Sequence, residues 1–211
     1  MTDRYVIEKR LWEEGYTRVM GLDEVGRGCL SGPVVAAGVI LEPGTRLDEL
    51  RDSKKLDAAT RVELDREIRE RARFWTVQQC SPAEIDRHNI LQASLRAMKK
   101  CVEATESAPD YLLVDGNRFG SSLIPFACIT GGDDRSATIA AASIIAKVYR
   151  DRLMVRLHEK YPHYGWDTNV GYPTEKHFNG LRQHGITEHH RRSFNLRTDI
   201  ELDKGEDASA G

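Results

Sequence analysis

The chain has 211 residues, 40% of them hydrophobic and 30% charged, with a formal net charge of −2. That composition describes one globular domain large enough to bury a core. Its longest apolar-rich stretches, such as Gly32 to Leu41, are far too short to cross a bilayer, which argues against a membrane protein.

Met1-Thr2-Asp3-Arg4 leads into no apolar signal region, and Cys29, Cys80, Cys101 and Cys128 show no C-x-x-C pairing. Scattered thiols without a leader predict reduced cysteines and a cytoplasmic location. The stretch from Leu11 to Ala37 reads as a helix end followed by strand, turn and strand. Val34 to Leu41 is almost continuously apolar, as in a strand covered on both faces. Pro43-Gly44 marks a turn. Asp57 is placed to cap a charged helix running to about Ala72, with Leu64, Ile68 and Ala72 on one stripe.

Phe74 to Val77 predicts another strand, and Ile90, Leu91, Leu95, Met98 and Val102 a second helix. Tyr111 to Val114 is a short strand ending in Asp115-Gly116-Asn117. Phe126 to Ile129 is the next, running into Thr130-Gly131-Gly132-Asp133-Asp134. Ile139, Ala142, Ala146, Tyr149, Leu153 and Leu157 recur at three- and four-residue steps, which predicts a long helix stopping before Pro162. Gly171 to Phe194 reads as short helices separated by Gly180 and Gly185. No repeat or linker suggests a second domain. Strands followed by helices woven between later strands predict a mixed sheet with helices on both faces.

The net charge conceals an uneven distribution. Five acids from Asp199 onward stand against Lys204 alone, and without this tail the formal charge is +2. The tail is expected to be disordered. Between Lys176 and Arg197 there are five basic residues and four histidines against Glu188 alone, a locally basic edge that supports polyanion binding weakly.

The chemistry-bearing feature is Gly21-Leu22-Asp23-Glu24-Val25-Gly26-Arg27-Gly28. Successive strand residues face opposite sides, so adjacent carboxylates form no simple core pattern. Two unpaired neighbouring charges repel, and burying either is costly. A divalent cation offsets both problems, while the glycines beside Arg27 let backbone N–H groups approach an anion. Alone, the octapeptide reads as a solvated turn with two surface acids. Asp115 and Asp133 also follow apolar runs next to glycines, so three carboxylate sites stand at predicted strand ends. If they meet in space, they form an all-oxygen pocket suited to Mg2+ or Mn2+.

At this point the chain resembles a known family, bacterial type 2 ribonuclease H. The matching blocks are the octapeptide above, then Gly32-Pro33-Val34-Val35, Asp52-Ser53-Lys54-Lys55-Leu56, and Val114-Asp115-Gly116. They continue with Ile139 to Val148, Arg150-Asp151, Gly171-Tyr172-Pro173-Thr174 and His190-Arg191-Arg192-Ser193-Phe194. In the family's order, they span Gly21 to Phe194. The resemblance implies an α/β fold: a ribonuclease H-like mixed sheet flanked by helices, with a C-terminal helical extension, here over residues 1–198. It implies an endonuclease that cuts the RNA strand of RNA–DNA hybrids and nicks duplex DNA on the 5′ side of a single embedded ribonucleotide.

The resemblance also implies roles. Asp23, Glu24, Asp115 and Asp133 are the catalytic acids and the ligands of two divalent cations, Mg2+ or Mn2+, with Asp134 a rival to Asp133 and Asp151 a weaker one. Gly26-Arg27-Gly28 contacts the 2′-hydroxyl, and Tyr172 packs on the sugar of the next, deoxy, nucleotide. Lys54, Lys147, Arg191 and Arg192 are candidate phosphate contacts. For Lys147, a helix-surface ion pair with Asp151 explains the residue equally well. Ser143 and Ser193 lack a triad signature and read as structural.

Two departures stand out. Gly131 takes the place of a common lysine, whose contact Arg135 could supply, and Cys29 replaces a frequent proline. The partners implied are RNA–DNA hybrid and ribonucleotide-containing duplex DNA, with a monomer as the default assembly. A hybrid-binding module without catalysis, or another phosphoester hydrolase, are the competing readings.

Overall fold

A computed structural model describes residues 3–47, 50 and 56–197. Lys54 and the acidic tail therefore lie outside the described residues. All five predicted strands form: β1 (Val19–Val25), β2 (Val34–Ile40), β3 (Phe74–Cys80), β4 (Tyr111–Asp115) and β5 (Phe126–Ile129). β3 runs three residues past the predicted apolar run. Antiparallel pairing with β2 carries it through polar Gln78 and Gln79 to a Val34–Cys80 pair.

The strands form one mixed sheet in the order β3-β2-β1-β4-β5. β1 is antiparallel to β2 and parallel to β4, and β4 is parallel to β5. Helices cover both faces. On one side lie α2 (Ala58–Arg71) and α5 (Ala137–Lys160), packed on Val35, Ala37 and Val39. On the other, α4 (Ile90–Glu103) packs on Val34, Ala36 and Ile40. β2 is thus apolar on alternate positions toward both layers, which is why its sequence shows no polar alternation.

Local chemistry explains the helices. Asp57 caps α2 by accepting from Thr60 N–H at 2.8 Å, and Leu64 and Ile68 are fully buried, each worth about 1.5–3 kcal/mol relative to exposure. The first half of α5 is alanine-rich and buried, so its backbone lies against the sheet. Gly21 is where they meet: a Cβ there would fall 2.2 Å from the Thr138 carbonyl carbon.

α1 (Val6–Glu13) closes one end, its Leu11 packing with Val19, Leu113, Ile129 and Ile139. Buried Glu8 accepts from Thr138 N–H and from the hydroxyls of Ser136 and Thr138 at the start of α5.

Three elements differ from the sequence reading. α3 (Pro82–His88) was not anticipated, although Ser81 and Glu84 form a reciprocal capping box in plain view. A short α6 (Trp166–Asn169) precedes α7 (Glu175–His184). Gly180 lies inside α7 instead of separating helices: a Cβ there would come within 2.6 Å of the His163 carbonyl oxygen, so glycine serves close packing. The C-terminal segment packs its own apolar cluster, including Tyr164, Trp166, Phe178 and Leu196, against Leu30 and Met154. Among the described residues, all four cysteines are free and no helix is long and apolar enough to cross a membrane.

Candidate active site

The parallel pairing of β1 with β4 aligns Leu22 with Val114, so the next residues along, Asp23 and Asp115, arrive side by side at the strand ends. Asp23 is buried, and its Oδ1 accepts from Glu24 N–H at 2.7 Å. Burial pushes its pKa well up; the Ser143 hydroxyl opposes this, while the charges of Asp115 and Glu24 add to it. Burial also raises Glu24, against the pull of Arg27 and with a further push from Asp115. Arg27 Nη1 donates to Glu24 Oε1 at 3.0 Å, but the buried Glu24 Oε2 has no hydrogen-bond partner among the described residues.

The 3-10 turn Gly132–Asp134 follows β5 and places the fourth acid in a turn. Gly132 N–H donates to Asp115 Oδ1 at 2.7 Å, which puts Asp133 one residue from that contact. Its rival, Asp134, is engaged elsewhere: Arg4 donates to both its carboxylate and its carbonyl oxygen. Asp151 pairs with Lys147 at 2.7 Å, the ion pair anticipated as the alternative for that lysine.

This donor set fits a hard cation. Three carboxylates gather at the neighbouring ends of β1 and β4, and one buried oxygen is left without a proton donor. That is the condition a divalent ion relieves. Among the described residues, no three His, Cys, Asp or Glu side chains are already drawn together closely enough to hold a metal ion.

The Gly26-Arg27-Gly28 turn lies beside these carboxylates, held from below by two buried arginines. Arg191 donates to the carbonyls of Gly26, Arg27 and Gly32 at 2.6, 2.9 and 3.0 Å. Arg150 donates to Pro33, Ser31 and Val170 at 3.0, 3.0 and 2.8 Å. Gly26 has φ +91°, a left-handed backbone, and a Cβ there would collide with Arg150. Arg191 is therefore not the surface phosphate contact anticipated from sequence. Burial, with Arg150 adding to it, draws its pKa to about 10, so it stays cationic inside the protein. Arg192 is exposed, and Asp86 accepts from the N–H groups of Arg192 and Ser193 and from the Ser193 hydroxyl, a structural role for that serine.

Tyr172 is 42% exposed, and its ring edge lies 3.6 Å from where a Gly28 Cβ would stand. The backbone of the turn is tied to it: Leu30 N–H donates to Gly171 carbonyl at 2.8 Å. Along α5, Ser143, Lys147 and Asp151 recur every four residues. They influence Asp23, Cys29 and Tyr172 respectively, so one helix face spans from the carboxylates to the tyrosine.

Sequence reasoning assigned no role to Arg150, the buried partner of Arg191. Its place in the α5 pattern was the available signal, four residues after Ala146 and four before Met154, both buried.

The family described as Ribonuclease HII matches residues 20–197. The Ribonuclease HII of Salinibacter ruber is 49% identical over 196 residues, covering 91% of this chain and 98% of that protein. That of Ruegeria pomeroyi is 50% identical over 191 residues, covering 90% and 81% respectively. The crystal structure of ribonuclease H2 from Pyrococcus horikoshii OT3 superposes with a TM-score of 0.74 at 25% identity, covering 87% of this chain and 97% of that one.

Proposed function

Because the chain belongs to the ribonuclease HII family, endonucleases that hydrolyse RNA in RNA–DNA hybrids, we propose that it also nicks duplex DNA on the 5′ side of single embedded ribonucleotides. The observation that carries the reading is the crowded set Asp23, Glu24 and Asp115, with Asp133 adjacent and Glu24 Oε2 left unbonded. These four acids hold two divalent cations, Mg2+ or Mn2+. Bound there, such ions supply Lewis acidity toward the scissile phosphate and a water of lowered pKa.

The chain's own residues choose where the cut falls. The Gly26-Arg27-Gly28 backbone, its carbonyls turned inward to Arg191, presents its other groups to the 2′-hydroxyl that distinguishes RNA from DNA. Tyr172, packed beside Gly28, offers a ring face to the following sugar, where a bare deoxyribose fits best. Arg192, Lys147 and Lys54 contact phosphates and orient the duplex without reading sequence. Lys147 pairs with Asp151 at 2.7 Å on the surface of α5, and a phosphate competes with that carboxylate for its ammonium. The products are a 3′-hydroxyl and a 5′-phosphate, and the enzyme acts as a cytoplasmic monomer.

The test is cleavage of three duplexes: a hybrid, a DNA duplex with one ribonucleotide, and an all-DNA control, each with Mg2+, Mn2+ or EDTA. The reading expects the first two cut, the ribonucleotide substrate on its 5′ side, and no cleavage in EDTA. Equal cutting of the all-DNA control would mark a different nuclease. Binding without cleavage would mark a hybrid-binding module.

A further inference from the structure

Behind Tyr172 lies a buried pair of histidines that touches neither the carboxylates nor the surface. His177, in the first turn of α7, is 0% exposed and His190 is 2% exposed; their Nε2 atoms are 3.2 Å apart. The rings of Tyr164 and Trp166 pack against His190 with centroids 4.8 and 5.3 Å away. Two buried imidazoles in contact need a reason, because each forgoes hydration and both cannot be charged together.

The hydrogen bonds determine the tautomers. Thr187 N–H donates to His190 Nδ1 at 2.9 Å, so in the neutral ring the proton of His190 sits on Nε2. That proton points at His177 Nε2, which also accepts from Trp166 Nε1 at 3.2 Å. His177 therefore carries its proton on Nδ1, and Nδ1 lies 2.9 Å from the Tyr172 carbonyl oxygen, which can only accept. Every donor in the chain Thr187, His190, His177, Tyr172 meets an acceptor, provided both rings stay neutral. Burial lowers both pKa values, His190 to about 3.

The other end of the relay is stitched to the glycine–arginine turn. His190 forms an antiparallel bridge with Ser31, its neighbour Arg191 donates N–H to the Leu30 carbonyl, and Gly32 N–H donates to the His189 carbonyl. The imidazole pair thus spans from the Leu30–Gly32 segment that follows the turn to the backbone of the tyrosine.

We propose that the His177–His190 pair is the positioning element that holds Tyr172 at a fixed place against the Gly26-Arg27-Gly28 turn, and so sets the preference for an RNA-to-DNA junction over continuous hybrid. This rests on the role given to Tyr172 above. Neither histidine touches the nucleic acid; both act through the tyrosine backbone. Losing the relay lets the ring move relative to the turn, and the difference between a following deoxyribose and a following ribose is read less sharply.

The experiment compares single-turnover cleavage of a duplex with one ribonucleotide against a continuous hybrid, and takes the ratio. His177→Leu keeps the apolar packing but removes the donor to Tyr172 and the acceptor of His190 and Trp166; its ratio should fall about fivefold toward that of Tyr172→Ala, the worth of the one buried hydrogen bond that reaches the tyrosine. His177→Asn retains an N–H near the place of Nδ1 and should restore the ratio. A folded His177→Leu with the parental ratio, or a His177→Asn variant no better than His177→Leu, overturns the proposal.

A Tyr172→Ala variant with an unchanged ratio overturns instead the role given to the tyrosine, so the two failures are distinguishable. Should His177→Leu not fold, nitrogen-15 NMR of the parent decides. A proton on Nδ1 of His177 and on Nε2 of His190 supports the relay, and the opposite tautomer on His177 overturns it.

Discussion

Arg191 Nη2 lies 2.6 Å from the carbonyl oxygen of Gly26, 165 residues away in sequence, and the same guanidinium also reaches the Arg27 and Gly32 carbonyls. A fork of five donors on a rigid plane can do this, whereas a lysine ammonium on a flexible stem cannot reach all three at once. Arg191→Lys should therefore orphan buried carbonyls and lower stability by about 2–4 kcal/mol. It should also slow cleavage of ribonucleotide substrates by loosening the turn. Denaturant melts and initial rates check both, and a variant as stable as the parent would contradict the clamp.

Asp23 is buried among like charges, so Asp23→Asn removes a penalised charge as well as a ligand. In metal-free buffer the variant should be at least as stable as the parent, because burial and the neighbouring carboxylates already disfavour the ionised form. Adding Mg2+ to a hundred times its Kd should stabilise the parent by about 2.7 kcal/mol and the variant far less. Cleavage should be abolished. The measurement is a pair of melts with and without the ion, and an equal metal-induced shift in both proteins would displace the ion from this site.

Arg192 is exposed while Arg191 is buried, so adjacent arginines are predicted to behave differently. Arg192→Ala should leave the fold intact, weaken duplex binding alike for all sequences, and reduce the slope of log K against log salt by about 1. Titrations at several salt concentrations test this.

Stability should fall on mild acidification through the C-terminal cluster. His190 is held near a pKa of about 3 in the fold, below the ordinary histidine value of 6.5. Between these values the unfolded chain binds a proton that the native state refuses. The stability present above pH 6.5 is thus lost as pH drops, at up to about 1.4 kcal/mol per pH unit for this one group. Glu84, lowered to about 2 chiefly by its hydrogen bonds with Ser81 and Lys100 against the penalty of burial, loses its contribution only below pH 4.5. Urea melts between pH 7.5 and 5.5 therefore leave out the Glu84 titration, and the raised carboxyls of Asp23, Glu24 and Glu8 act with the opposite sign. His190→Gln should flatten the slope, and an unchanged slope would assign the effect to other groups.

Local signals in the chain sufficed for every strand and for α2, α4 and α5, because capping, apolar periodicity and turn residues act over a few positions. They also located Asp23, Glu24, Asp115 and the turn after β5, since acids beside glycines at the ends of apolar runs are visible in one dimension. The capping box of α3 is equally local, with Ser81 three residues before Glu84. Gly180 was misjudged because a glycine that breaks a helix and one that lets a helix approach a carbonyl look identical in sequence.

What the chain could not disclose alone was which strands are neighbours. Asp23 and Asp115 meet because β4 pairs with β1 in parallel, a neighbour relation between segments some ninety residues apart. Arg191 and Arg192 share charge, chemistry and position, yet one is sealed beneath the Gly26 turn and the other faces solvent. Residue type and spacing bound the possible chemistry; burial and the partners brought from distant segments decide which side chains bear on substrate and which hold the frame. Only the folded chain determines those, because a contact across 165 positions leaves no local trace.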